Sequence, residues 1–142
     1  MKRMHVHISV DDLKKNIDFY SALFNTEPTV QKSDYAKWRL EDPMVNFALS
    51  TNKGRTIGLN HLGFELESNA DLEDMSQCID ENNLEKLEEK NANCCYAKSD
   101  KYWTTDPQGI PWENFHTLNG IPMYGDKTEQ QCCSGGINSQ CC

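Results

Sequence analysis

The feature that most constrains the fold is an internal repeat. The stretch HVHISVDDL at residues 5–13 is echoed by HLGFELESNADL at residues 61–72, with histidine first and apolar residues at alternate positions. Each copy reads as a strand running into an amphipathic helix, and extended segments follow both helices. In each copy, the apolar face of the first strand is expected to pack on the helix that follows it. The chain is therefore predicted to contain two copies of a βαβββ unit.

Hydrophobic spacing assigns five elements to each copy. In the first copy these are a strand at 4–10, a helix at 12–25 capped by Asp11 or Asp12, and strands at about 29–33, 35–40 and 45–51. In the second they are a strand near 61–66, a helix from Ser68 or Asn69 toward Leu84, and strands at about 85–89, 93–98 with 101–105, and 111–118. The predicted fold class is α+β, with paired modules at about 1–52 and 56–118 forming a cup-shaped mixed sheet in a domain spanning 1–118. The tail from 119 to 142 is rich in Gly, Ser, Gln and Asn and is expected to be disordered.

Two histidines and one acid mark the polar front of the predicted sheet. His5 and His61 begin equivalent strands and point away from the side that packs on the helices. Glu113 lies in the last strand among apolar and aromatic residues, where an unpaired carboxylate is costly to bury. Two histidines and a carboxylate suit non-haem Fe(II) or Zn²⁺, and the sequence does not choose between them. His7 faces the same way as His5 and is its rival, as a ligand, a supporting residue or a substrate contact.

Four aromatic residues are candidates to line the cup: Tyr96, Tyr102, Trp103 and Phe115. Core packing is the expected role for at least half of them. His116 falls on the opposite strand face from Glu113 and is left out of the predicted site.

The chain has seven cysteines, and six of them form adjacent pairs: Cys94-Cys95, Cys132-Cys133 and Cys141-Cys142. Adjacent α-carbons lie about 3.8 Å apart, whereas ordinary disulfides want roughly 4.4–6.8 Å. Reduced thiols are therefore the expected state. A reduced adjacent pair is a soft bidentate ligand for thiophilic metals and metalloids. The tail pairs are predicted either to hand such an ion inward or to be dispensable.

Composition excludes several classes of partner. The net charge of −8 disfavours nucleic acid and anionic membranes, which repel a net acid. No apolar run approaches the roughly 20 residues that a membrane helix needs, and no apolar signal core follows the N-terminus. A cytoplasmic protein without nucleic-acid or membrane partners is the expectation.

Three stretches carry a family resemblance: HVHISVDDLKKNIDFYSALF, GLNHLGFEL and DPQGIPWENFHTL. They resemble the vicinal oxygen chelate superfamily, the glyoxalase, bleomycin-resistance and dioxygenase group, over about residues 1–118. The resemblance implies a cup of paired βαβββ modules with a divalent metal at its floor. By position, the family's ligands match His5, His61 and Glu113.

A narrower resemblance lies in SDYAKWRLEDPMVNFALS and NCCYAKSDKYW, which are similar to ArsI-type C–As lyases and CadI-like cadmium-induced proteins. It implies Fe(II)- and O2-dependent cleavage of the carbon–arsenic bond of trivalent organoarsenicals, such as methylarsonous acid or reduced aromatic arsenicals, to give arsenite. Cys94 and Cys95 would bind the arsenic. Glu113 would be both ligand and catalytic residue.

Two other functions stay open at this point. One is a thiol-based protein that binds cadmium or arsenic without catalysis, which the cysteine excess favours. The other is a different metal-dependent enzyme of the same family, such as a Zn²⁺ or Ni²⁺ isomerase or thiol transferase. A glyoxalase I-like site would need a fourth ligand from residues 45–50, which contain no carboxylate. The sequence also leaves open the organic group on arsenic and whether the cup closes within one chain or across a homodimer.

Overall fold

The computed structural model describes residues 2–51, 54, 56–94 and 97–120. It contains two helices, α1 (Leu13–Phe24) and α2 (Asn69–Glu81). Its strands are β1 (Lys2–Ser9), β2 (Val30–Gln31), β3 (Tyr35–Glu41), β4 (Met44–Ser50), β5 (Gly58–Leu66), β6 (Leu87–Cys94), β7 (Ala97–Thr105) and β8 (Pro111–Gly120). Within these ranges the element order is βαβββ twice, as the repeat predicts.

All eight strands form one mixed sheet in the order β2-β3-β4-β1-β5-β8-β7-β6. The first strands of the two copies, β1 and β5, lie side by side and antiparallel at the centre. Each also pairs in parallel with the last strand of its own copy, β1 with β4 and β5 with β8. This arrangement brings the front faces of β1, β5 and β8 together, and the predicted histidines and acid lie on those strands.

Each helix covers one half of the back of the sheet. Ile17 of α1 joins a buried cluster with Trp38, Phe47 and Leu49, and Val6 and Ile8 of β1 pack against it. Leu72 and Ile79 of α2 pack with Leu66 and Tyr102 in a second cluster. Both helices begin at polar caps, Asp12 and Ser68, whose side chains accept backbone N–H bonds. Burying the apolar backs in this way leaves the polar positions of β1 and β5 on the front.

The structure corrects several predicted boundaries. β2 has two residues instead of the five expected at 29–33, because only Val30 and Gln31 pair with β3. α2 ends at Glu81, since Asn82 caps it and Asn83 adopts a positive φ, and Leu84 is exposed rather than buried. The strand predicted at 93–98 is divided between β6 and β7, which pair as a hairpin with Cys94 opposite Ala97.

β8 extends to Gly120, and residues 121–142 of the predicted tail lie outside the described residues. Among the helices of the described part of the chain, none is long and apolar enough to cross a membrane.

Candidate metal centre

Three predicted ligand atoms converge on the front of the sheet. The Nε2 atoms of His5 and His61 lie 3.0 Å apart. Glu113 Oε2 is 3.2 Å from His61 Nε2 and 3.6 Å from His5 Nε2. All three side chains are buried. The structure thus brings together residues from β1, β5 and β8 that are 52 or more positions apart in the sequence, the narrowest gap being between His61 and Glu113.

These spacings match the edges of a metal coordination polyhedron. First-row divalent metals bind imidazole nitrogen and carboxylate oxygen at about 2.0–2.2 Å. Neighbouring ligand atoms are then about 3.0 Å apart in an octahedral site and about 3.3 Å apart in a tetrahedral one, by simple geometry from those bond lengths. The observed 3.0 and 3.2 Å lie in this range, and the third separation, 3.6 Å, is slightly longer. A divalent ion among these atoms would also offset the repulsion between lone pairs held so close together.

The Nδ1 atom of each of these two histidines already makes a hydrogen bond, which leaves Nε2 available to a metal ion. His5 Nδ1 lies 3.1 Å from the backbone oxygen of Asn46, which can only accept, so Nδ1 carries the proton. His61 Nδ1 donates likewise to Asn60 Oδ1 at 2.7 Å. Outer hydrogen bonds of this kind fix the tautomer and ring orientation of metal-binding histidines.

Asn60 reaches His61 because of an irregularity in β5. Neighbouring residues of a regular strand point to opposite faces, so the alternation rule would put Asn60 on the back. The pairing of β1 with β5 shifts between His7 and Ile8, which skips Asn60. Both Asn60 and His61 are consequently buried on the front, where Asn60 Nδ2 also donates to Ser9 Oγ. The sequence carried no signal for this contact.

Lys101 is a further residue that the sequence analysis missed. Its Nζ lies 2.5 Å from Glu113 Oε1, and the two side chains are 3% and 7% exposed. Lys101 therefore holds one carboxylate oxygen while the other, Oε2, faces the histidines. Lys101 also lies 5.7 Å from the centre of the Trp103 ring. Lysine is common on surface strands, so nothing in the sequence indicated that Lys101 is buried. The pairing of β7 with β8 places it beside Glu113.

Burial and the neighbouring charges favour a neutral His5 and an ionised Glu113. Burial lowers the pKa of His5 from 6.5 to about 4, and the nearby Glu113 charge only partly opposes this. For Glu113, burial alone would raise the pKa, but the Lys101 charge and the contacts with His61 and His5 outweigh it and hold the pKa well below 4.5. At neutral pH His5 is neutral and Glu113 is ionised, so neither has to lose a proton to bind a metal.

Gly63 allows Glu113 to come so close to β5. Gly63 pairs with Glu113 in the parallel β5–β8 register. A Cβ at this position would fall on the backbone carbonyl of Glu113. Any larger residue would force β8 away from β5 and shift the carboxylate relative to His61.

His7 lies beside the three atoms described above. It is 2% exposed, and its Nε2 is 2.8 Å from Ser50 Oγ. His5, His7 and His61 each offer a ligand nitrogen within 4.8 Å of the others. A small cavity of about 40 Å³ opens here, lined by His5, His7, Tyr35, Lys37, Asn46, Ala48, Ser99, Lys101, Glu113, Phe115 and Thr117. The site thus has room for a small ligand beside the candidate metal position.

The aromatic candidates divide between the two faces of the sheet. Phe115 lines the cavity and packs edge-on against His5, with ring centres 5.2 Å apart. Trp103 packs edge-on against His61 at the same separation. Tyr102 lies on the back in the α2 core, which is the packing role expected for at least half of the four candidates. Tyr96 lies outside the described residues.

Most of the paired cysteines lie outside the described residues: Cys95, Cys132, Cys133, Cys141 and Cys142. Of the predicted arsenic ligands, only Cys94 has a described backbone, as the last residue of β6.

Relatives over the full length of the chain include two named groups. The chain is 38% identical to the "Trivalent organoarsenical cleaving enzyme" of Bacillus sp. (strain MD1), in a match covering all of this chain and 91% of that protein. It is 36% identical to the "Cadmium-induced protein CadI" of Mycobacterium tuberculosis, covering all of this chain and 93% of that one.

Solved structures share the fold at low sequence identity. A homoprotocatechuate 2,3-dioxygenase from Brevibacterium fuscum superposes with a TM-score of 0.63 at 18% identity, over 85% of this chain and 33% of that one. The Mn(II)-bound glyoxalase from Novosphingobium aromaticivorans gives 0.60 at 13% identity, over 85% and 42% of the two chains. The family model for the Glyoxalase/Bleomycin resistance protein/Dioxygenase superfamily matches residues 2–114. The family match over residues 2–114, together with the paired βαβββ units, shows that the chain belongs to the glyoxalase/bleomycin resistance protein/dioxygenase superfamily.

Proposed function

We propose that this protein is an Fe(II)- and O2-dependent C–As lyase that removes the organic group from trivalent organoarsenicals and releases arsenite. The observation that carries the proposal is the convergence of His5 Nε2, His61 Nε2 and Glu113 Oε2 within 3.6 Å of one another. The full-length relatives named for organoarsenical cleavage indicate the substrate class.

His5, His61 and Glu113 would hold the metal, and this donor set suits iron. Two neutral imidazoles and one carboxylate leave other positions of the ion open, as non-haem Fe(II) oxygenases require. When bound, Fe(II) together with O2 would supply the oxidising power for cleaving the C–As bond. Lys101 keeps the carboxylate ionised, and the hydrogen bonds that the imidazoles donate to Asn46 O and Asn60 Oδ1 keep both rings oriented.

Cys94 and Cys95 would bind trivalent arsenic as a dithiolate and so orient its organic substituent. Thiolate is the reactive form of cysteine, so binding weakens at low pH. Fixing the orientation of a bound reactant contributes to catalysis by removing the entropy cost of alignment. Ser99, Lys101 and Thr117 line the cavity beside the candidate metal position.

The stoichiometry is chemically balanced for the simplest substrate. One methylarsonous acid and one O2 give one arsenous acid and one formaldehyde. The methyl carbon loses the four electrons that O2 gains, and arsenic stays trivalent. No other reductant is needed.

The β6–β7 hairpin joins Cys94 to the candidate metal position. Trp103 pairs with Glu113, and Ala97, opposite Cys94, comes six residues before Trp103 in β7. Six extended residues span about 20 Å. The pairing shifts between Glu89 and Ala92 and again between Lys98 and Ser99. Such irregularities bend strands, and the proposal requires a bend that carries the cysteines toward the cup.

Methylarsonous acid is the proposed first substrate to assay, because its one-carbon substituent is the simplest of the class.

The decisive experiment loads the purified protein with Fe(II) anaerobically and adds methylarsonous acid with and without O2. Arsenite and formaldehyde should appear in equal amounts, and only when both Fe(II) and O2 are present. Cys94→Ser should abolish turnover while Fe(II) stays bound. Cys78→Ser is the matched control, because Cys78 is an exposed free cysteine on α2, and it should turn over normally. Normal turnover by Cys94→Ser would refute the capture step.

A second candidate function is sequestration of cadmium or arsenic by thiols, which the similarity to CadI favours. It predicts tight arsenic binding at cysteine stoichiometry with no arsenite formed. The same experiment therefore distinguishes the two functions.

A further inference from the structure

Asn46 of β4 carries a buried hydrogen-bond acceptor that no donor satisfies. The residue is 2% exposed, and no donor among the described residues reaches its Oδ1 atom. Nearly all buried polar atoms in proteins have a hydrogen-bond partner, because a buried acceptor without one lowers stability. The free oxygen therefore marks a position where a bound molecule can supply the donor.

The contacts of Asn46 fix which way its amide group points. Its Nδ2 lies 3.3 Å from Oε2 of Glu65, a carboxylate oxygen that only accepts, so the amide nitrogen faces Glu65. The amide oxygen consequently points away from Glu65. Asn46 lines the small cavity beside the candidate metal position together with His5 and Glu113, and Glu65 is not among the residues described as lining it. We take the oxygen end of the amide to be the end on the cavity side.

The proposed reaction changes the number of hydroxyl groups on arsenic. Methylarsonous acid bound to two cysteine thiolates keeps its methyl group as the third substituent and has no hydroxyl left. Reaction with one O2 releases formaldehyde and leaves arsenic on the same two thiolates with one hydroxyl in place of the methyl group. The methyl carbon loses the four electrons that O2 gains, and arsenic stays trivalent. The bound product therefore has one O–H donor that the bound substrate lacks.

We propose that Asn46 Oδ1 accepts a hydrogen bond from the hydroxyl group that arsenic gains as the carbon leaves. This inference rests on the capture of arsenic by Cys94 and Cys95 in the proposed function. The bound substrate cannot make this contact, so the contact favours the state that forms as the C–As bond breaks over the starting state. Asn46 is thus a residue that distinguishes bound arsenite from the bound organoarsenical.

The test compares how two arsenicals bind to the same protein. The full-length chain is used reduced and free of metal, with serine at every cysteine except Cys94 and Cys95, and binding of arsenous acid and of methylarsonous acid is measured by equilibrium dialysis. Asn46→Leu keeps the approximate size of the side chain and removes the acceptor. It should raise the dissociation constant of arsenous acid about two- to tenfold, the range for one neutral hydrogen bond, and leave that of methylarsonous acid unchanged.

Asn16→Leu is the matched control, because Asn16 lies on α1 at the back of the sheet, where its Nδ2 donates to Asp12 O. This variant should bind both arsenicals as the parent protein does. A purely structural role of Asn46 would weaken the binding of both arsenicals equally. Equal weakening of both, or of neither, in Asn46→Leu would therefore overturn the inference.

A crystal structure of the protein with Asn46 intact and arsenous acid bound gives a second test that does not depend on the folding of a variant. The arsenic hydroxyl should lie within hydrogen-bond distance of Asn46 Oδ1. A water molecule in that place, with the arsenic hydroxyl elsewhere, would overturn the inference while leaving the capture step intact. If neither arsenical binds to Cys94 and Cys95, the capture step of the proposed function is refuted, and this inference with it.

Discussion

The buried ion pair between Lys101 and Glu113 allows a quantitative prediction. The two groups are 2.5 Å apart, and their side chains are 3% and 7% exposed. Removing one member of such a pair leaves the other charge buried without its main partner, which costs about 3–5 kcal/mol of unfolding free energy. Lys101→Met keeps the length of the side chain and removes the charge, so it should lower the stability of the chelator-treated protein by about 3–5 kcal/mol.

A double variant distinguishes the energy of the ion pair from the separate contributions of its two residues. Glu113→Gln alone should also destabilise the protein, because it leaves the Lys101 ammonium buried. Lys101→Met with Glu113→Gln removes both charges, and replacing a whole buried pair is often nearly neutral. The double variant should therefore lose much less stability than the sum of the single losses. The difference should be a coupling energy of about 1–3 kcal/mol or more for residues in direct contact.

The measurement is urea unfolding followed by circular dichroism in the presence of chelator at pH 7.5. Lys14→Met is the matched control, because Lys14 pairs with Asp18 at 2.7 Å but the two side chains are 84% and 62% exposed. Exposed pairs contribute little, so this variant should unfold like the wild-type protein. If Lys101→Met is no more destabilising than Lys14→Met, or if the two single losses simply add, the pairing described here is wrong.

Two further predictions concern the same site. Gly63→Ala should cost about 1–3 kcal/mol of stability and weaken Co(II) binding, because its Cβ would displace Glu113; unchanged metal affinity would contradict the β5–β8 geometry. The pKa of His5 is lowered from 6.5 to about 4, so the folded protein binds fewer protons than the unfolded chain between these values. The chelator-treated protein should therefore lose up to about 3 kcal/mol as the pH falls from 6.5 to 4. His5→Gln should flatten the loss, and an equally steep loss in that variant would argue against the assignment. The low pKa of Glu113 removes stability as the pH falls below about 4.5, the ordinary value for the unfolded chain, so the range from pH 6.5 to 4.5 isolates the effect of His5.

Much of the fold follows from local pattern. The alternation of Val6, Ile8 and Val10 with histidines predicts which side of β1 faces α1, and these residues do belong to or pack against the cluster around Ile17. The polar caps predict where both helices begin. The element order is confirmed, because period-2 and period-3.6 spacing depend only on neighbours in the chain. The metal-ligand role of His5, His61 and Glu113 stays a prediction, although all three lie on one face as the alternation indicates.

The tertiary structure decided how these side chains meet. The separation of 3.0 Å between His5 and His61 depends on the register between β1 and β5, and the irregularity at Asn60 lies within that pairing. Lys101 reaches Glu113 only because β7 pairs with β8. The sequence by itself determined the repeated units, their faces and the kinds of donor available. The pairing of distant strands decided which donors share a site, because strand register reflects the packing of the whole sheet and leaves no signal in any single stretch of the chain.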